Sequence, residues 1–138
     1  MNEDHPSISI QGAVCPMPLK HYDQIVMGHG SGGRMTQELI QQCFAPYFSN
    51  PALDAGNDFA SLVVPAGQSL AVSTDAHIVS PLVFPGGDIG RLAVCGTVND
   101  VSMSGATPIG LTASFIIEEG FSTDLLKKIV QSMAQAAH

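Results

Sequence analysis

The sequence predicts one mixed α/β domain, on three observations. Its 138 residues, 45% of them hydrophobic, suit a single core. The stretches 34–47, 89–104 and 122–137 repeat apolar residues at the 3.6-residue period of a helix. Between them lie β-branched runs at 61–65, 69–75 and 108–119, set off by Pro and Gly. The order is strand, helix, strand, strand, helix, strand, helix. It contains hairpins and is not a strict β-α-β alternation.

Residues 1–21 are polar and then broken by Pro16 and Pro18, which predicts a flexible or extended lead-in. Residues 22–138 form the expected domain. "YDQIVM" (22–27) reads as a short strand, followed by the glycine-rich "GHGSGG" (28–33). Met35, Leu39, Ile40, Cys43, Phe44 and Tyr47 then mark one face of a helix that Pro46 helps to end. "NPALDAGNDFA" (50–60) has turn chemistry. "SLVVP" (61–65) and "SLAVSTD" (69–75), joined through "PAGQ", read as a hairpin, and 76–84 continues extended. Asp88 is placed to cap a helix from Ile89 to about Ser104. Apolar residues on most of its sides predict a central, buried helix. "PIGLTASFIIEE" (108–119) is the longest strand candidate. The last helix, 122–137, turns Leu125, Leu126, Ile129, Val130, Met133 and Ala137 inward.

Charge narrows the function. The net charge is -7, and the five basic residues are scattered, so no basic stripe exists for nucleic acid. Only 12% of residues are charged, about half the usual share. The weakly polar surface this leaves is expected to meet another subunit or another domain. Of the three cysteines, no pair makes C-x-x-C, so neither a zinc site nor a disulfide framework is indicated. Cys43 and Cys95 read as buried fillers. No apolar run is long enough to span a membrane, and no signal peptide is evident, so a cytoplasmic location is expected.

Gly28, Gly30 and Gly33 spell G-x-G-x-x-G, with Asp54 about twenty positions on. In a dinucleotide fold that acid ends the second parallel strand. Asp54 instead sits in a Pro- and Gly-flanked loop, so the fingerprint fails in context. G-K-[ST] is absent, so no Walker loop exists either. The loop still has physical use: four glycines and Ser31 allow close backbone approach to an anion. A phosphate cover and a ligand-free flexible turn are both consistent with it.

Three carboxylates stand out. Asp58 precedes a predicted strand, Asp75 ends one, and Asp100 lies in the apolar helix beside Asn99. A carboxylate in an apolar helix is costly unless paired, hydrogen-bonded or metal-bound. Together the three can serve Mg²⁺, which takes carboxylate oxygens plus substrate phosphates. Taken singly, each reads more readily as a cap or a surface group. His29 and His77 lack a partner at metal-ligand spacing and read as site-lining or surface residues. His29, inside the glycine loop, can donate to a phosphate.

"GHGSGGRM", "NDFASL" and the run 73–120, containing "FPGGDIG" and "NDVSMSGA", closely resemble one family. It is the carbamoyl dehydratase family of nickel–iron hydrogenase assembly, within the aminoimidazole ribonucleotide synthetase superfamily. The resemblance covers about residues 22–137. It implies an aminoimidazole ribonucleotide synthetase-like N-terminal domain: a mixed β-sheet with helices on one face, pairing across a homodimer. It implies ATP and Mg²⁺ bound between this domain and a C-terminal one. The family's metal ligands fall on Asp58, Asp75 and Asp100. Its nucleotide-binding positions fall on Gly28, His29, Gly30, Ser31, Gly32, Gly33, Asp75, Asn99 and Asp100. At Asp58 the family often has two acidic residues, where this chain has Asn57 and Asp58.

The implied reaction activates, with ATP, a carboxamide carried as a thiocarbamate on the enzyme's C-terminal cysteine. Loss of phosphate leaves a thiocyanate whose cyano group goes to iron. A carbamoyl-transferring maturation protein and iron-carrying scaffold proteins are the implied partners. The family's next motif, G-D-T-K-like, is expected past the helix at 122–137, but the chain ends at His138. The expectation is therefore an N-terminal domain alone, without catalytic residues of its own and unable to turn over. Competing readings are a selenophosphate synthetase-like phosphotransferase, a non-catalytic dimerisation module and, more distantly, a dinucleotide-binding oxidoreductase.

Overall fold

The computed structural model describes residues 23–138. The lead-in expected over 1–21, with Cys15, lies outside them, as does Tyr22. The chain has the α/β class: helices pack with a small antiparallel sheet.

A 3₁₀ turn, Met27–Gly30, leads into α1 (Arg34–Leu39), a π-turn (Ile40–Phe44) and α2 (Ala45–Phe48). The helix expected to end near Pro46 thus runs through it. The Ala45 N–H bonds the Ile40 carbonyl, one residue wider than an α-turn. The wider turn accommodates Pro46, which has no N–H to continue an α-ladder. α3 (Pro51–Asp54) is a single turn whose cap, Asn50, accepts from the N–H groups of Ala52 and Leu53. α4 (Ile89–Ser102) starts where expected, with the Asp88 carboxylate accepting from the Arg91 N–H at 3.0 Å. α5 (Thr123–Ala137) closes the described chain.

The sheet differs from expectation. It consists of β1 (Val83–Phe84) and β2 (Gly87–Asp88), antiparallel, with Val83 opposite Asp88. Segments 61–65, 69–75 and 108–119, read as strands, carry no ladder among the described residues. The turn between the first two is present, with the Gln68 N–H bonded to the Pro65 carbonyl and Gly67 at φ 81°. A strand needs a partner's N–H and C=O groups. Among the described residues none of these runs finds one, and most of their apolar side chains stay in solvent: Ile116 is 101% exposed, while Phe115 and Ile117 turn to the core. Residues 23–25 run antiparallel to 120–123 through an isolated bridge, Gln24 to Ser122. The Ile25 N–H donates to the Phe121 carbonyl there at 2.8 Å.

The core is built by the first and last helices. Ile25, Cys43, Leu126 and Val130 are buried together, with Leu39, Phe44, Tyr47, Phe48, Phe115, Ile117 and Phe121 against them. Phe44 meets Phe115 edge-on, 4.9 Å between ring centres. α4 is less buried than its composition predicts. Only Gly90 and Val94 are fully covered, because α4 lies on α5 along one side and among the described residues little more than β2 and the His77 ring touches the rest.

At that crossing Gly90 leaves no room for a side chain. A Cβ there would run into the Ile129 carbonyl and stand 2.8 Å from Met133 Cγ. Gly90→Ala is expected to destabilise the fold by about 2 kcal/mol through overpacking, despite alanine's better helix propensity. A urea titration followed by circular dichroism reads it, and an unchanged midpoint would mean α4 and α5 do not touch here.

Candidate functional site

The glycine run is wound on itself. The Val26 N–H donates to His29 Nδ1 at 2.9 Å. Thr36 Oγ1 donates to the His29 carbonyl at 2.6 Å and accepts from the Gly32 N–H at 2.9 Å. The Ser31 hydroxyl and N–H both reach the Gly28 carbonyl. The amides of His29, Ser31 and Gly32 are therefore engaged within the loop, and an incoming anion would have to compete for them. His29 Nδ1 accepts here, so only its other nitrogen is available as a donor. Gly30, Ser31, Gly32 and Gly33 are exposed, and Gly28 and His29 half-buried. Thr36, which no sequence signal singled out, holds the curl.

Asp75 lies at the end of an extended run. Its Oδ1 accepts from the Ala76 N–H at 2.7 Å, and its Oδ2 lies 3.4 Å from His77 Nε2. The carboxylate is 45% exposed. His77 is only 16% exposed and its ring lies on α4 at Gly96: a Cβ at Gly96 would stand 2.7 Å from His77 Cε1. Gly96 is one turn before Asp100 on the same helix face. His77 thus ties the segment carrying Asp75 to the helix carrying Asp100. His77, expected to line the site or lie on the surface, is instead largely buried beside Asp75. The available signal was D-x-H in an extended run, which sets both side chains on one side.

Asp100 and Asn99 are exposed on the last turns of α4. The desolvation cost expected for a carboxylate inside that helix does not arise, because this face is open to solvent. Asp58 is exposed in the segment after α3. A shallow hollow beside it is lined by Pro51, Ala55, Asn57 and Phe59 and includes neither Asp75 nor Asp100. Among the described residues no three His, Cys, Asp or Glu side chains gather into a metal cage. Asp58, Asp75 and Asp100 are thus not assembled into one centre by this chain alone. Mg²⁺ does not require such a cage, since it commonly takes one or two carboxylates and completes its shell with phosphate oxygens and water.

The cysteines divide. Cys43 is a buried filler as expected, and burial pushes its thiol up, with Lys127 opposing and Asp124 adding weakly. Cys95, also expected to be buried, is exposed on the uncovered side of α4. Brief alkylation followed by peptide mass mapping is expected to label Cys95 and leave Cys43 unmodified until denaturant is added. Labelling of both at equal rate would contradict the packing of α5 on the π-turn.

Residues 56–138 match the AIR synthase related protein, N-terminal domain. The chain belongs to that family. It is 58% identical over 114 residues to the carbamoyl dehydratase HypE of Cupriavidus necator, an alignment covering 83% of this chain and 32% of that protein. The HypE of Escherichia coli K12 is 48% identical over 119 residues, covering 83% and 35%. A crystal structure of the hydrogenase maturation protein HypE in complex with ATP superposes with a TM-score of 0.77 at 51% identity. That match covers 81% of this chain and 33% of the other. The chain spans about a third of the length of these relatives. No helix among the described residues is long and apolar enough to cross a membrane.

Proposed function

We propose that this chain is the nucleotide-binding, dimer-forming N-terminal portion of a carbamoyl dehydratase of nickel–iron hydrogenase maturation, working in the cytoplasm. The observation that carries the reading is the close likeness, in sequence and backbone, to a maturation protein crystallised with ATP. In this reading ATP supplies the phosphoryl group that activates an enzyme-bound carboxamide oxygen for dehydration. The thiocarbamate-bearing cysteine belongs to the remainder of the protein. Buried Cys43 and exposed Cys95 are not assigned that role.

This chain's residues bind and orient. Asp75 and Asp100, with Asp58, would hold Mg²⁺. Their hard carboxylate oxygens suit that ion, and all three are exposed enough to reach a metal carried by a nucleotide. Gly28–Gly33 would cover the phosphates after giving up internal bonds, with His29 as a donor. Asn99 would meet the nucleotide beside Asp100. The apolar runs around Leu62, Val72 and Ile109, exposed and unpaired in one copy, favour pairing with a second copy. A carbamoyl-transferring protein and iron-carrying scaffold proteins would be the other partners.

Calorimetric titration of the complete protein with ATP, with and without Mg²⁺ and with NAD as control, tests the reading. Mg²⁺-dependent ATP binding by a dimer is expected. NAD binding, or ATP binding indifferent to Mg²⁺, would overturn it.

A further inference from the structure

His77 presents an unsolved polar group. Its Nε2 is buried and has no hydrogen-bond partner among the described residues. A buried, unpaired imidazole nitrogen is costly, so the nearest acceptor matters. That acceptor is Asp75 Oδ2 at 3.4 Å, slightly beyond a well-formed bond. The other oxygen, Oδ1, is already fixed by the Ala76 N–H. The ring itself is confined. The three ring atoms Cε1, Nε2 and Nδ1 would lie 2.7, 3.4 and 3.6 Å from a Cβ at Gly96, so the absence of that side chain is what admits the ring. Because Nε2 is out of solvent, it is badly placed to receive an ion directly. It is well placed to hold a neighbour that does.

We propose that His77 is a positioning residue for Asp75. Seated in the gap that Gly96 leaves on α4, its Nε2–H holds Oδ2, so that Asp75 is presented in one orientation to a magnesium-bound nucleotide. The proposal rests on the nucleotide reading above. It adds that a histidine which makes no contact with the ligand sets the affinity for the metal-bound form. Gly96 belongs to the same device, since any side chain there evicts the ring. A small shift of the ring or carboxylate, of about 0.5 Å, closes the bond.

The test is made on the complete protein. His77→Ala is expected to weaken binding of Mg²⁺–ATP about tenfold, while metal-free ATP binds within about twofold of wild type. His77→Gln, whose amide nitrogen can occupy the place of Nε2, recovers most of the loss. Gly96→Ala, which displaces the ring and leaves His77 in the chain, falls between them. In an Asp75→Asn background, His77→Ala adds nothing further. The ¹⁵N shifts of His77 in the unliganded wild type report a proton on Nε2. Wild-type-like Mg²⁺–ATP affinity in His77→Ala would overturn the proposal. So would equal losses in the Ala and Gln variants with and without Mg²⁺, the pattern of mere packing, or a ring bare at Nε2. If wild type itself binds no Mg²⁺–ATP, the nucleotide reading falls, and the ¹⁵N spectrum then decides the His77–Asp75 contact separately.

Discussion

Leu126→Ala is expected to lower stability by about 3 kcal/mol, roughly 10 °C in Tm, through the cavity it leaves. Leu126 is 2% exposed and sits at the centre of the cluster formed by Ile25, Cys43 and Val130. The size of the effect follows from how little else is buried. Beyond that cluster, only Val94 and Ile129 among the described hydrophobic residues are fully covered. Whole domains hold about 5–15 kcal/mol in total, so a loss of this size removes a large part of the reserve. Gln131→Ala, on the exposed face of the same helix, is the control and should change stability by less than about 0.5 kcal/mol. Denaturant titration of the two variants separates them. Equal midpoints would mean that α5 does not form the core described.

The second large effect concerns the carboxylates. Asp75→Asn and Asp100→Asn should each weaken Mg²⁺–ATP binding by about 2 kcal/mol, roughly thirtyfold in Kd. Asparagine keeps the size and one carbonyl oxygen but removes the charge that a hard cation needs. Asp100 is exposed at the end of α4, and Asp75 is nearly half exposed at the end of its extended run. Neither substitution disturbs the core, so an altered melting temperature without ligand is not expected. Calorimetry with and without Mg²⁺ measures the difference. Unchanged affinity in the presence of Mg²⁺ would remove both residues from the metal assignment.

The difference between these effects reflects where each was legible. The helices could be read because their signals are local. Apolar residues at the 3.6-residue period marked α4 and α5, and Asp88 supplies the N-cap acceptor expected of it, while Ser122, read as the first residue of its helix, caps α5. Asp58, Asp75 and Asp100 were singled out by their places in the chain and by motif resemblance, since short runs such as "NDVSMSGA" carry identity without needing a fold. The strands were legible only as propensity. Val63 and Ile116 have the right side chains, but the ladder depends on backbone partners that the described residues do not bring to them.

What the sequence by itself determined is therefore the local chemistry: helix phases, caps, the glycine run and the placement of the acids along the chain. Tertiary structure alone decided that Thr36 closes the glycine loop and that Gly90 lets α4 press on α5. It alone decided that the ring of His77 fills the space over Gly96 beside Asp75. The first depends on a curl that brings Thr36 back to His29 and Gly32, the others on a distance between segments remote in sequence and on an absent side chain. Neither quantity is encoded in a periodicity, because it exists only once packing has brought two backbones within contact of each other.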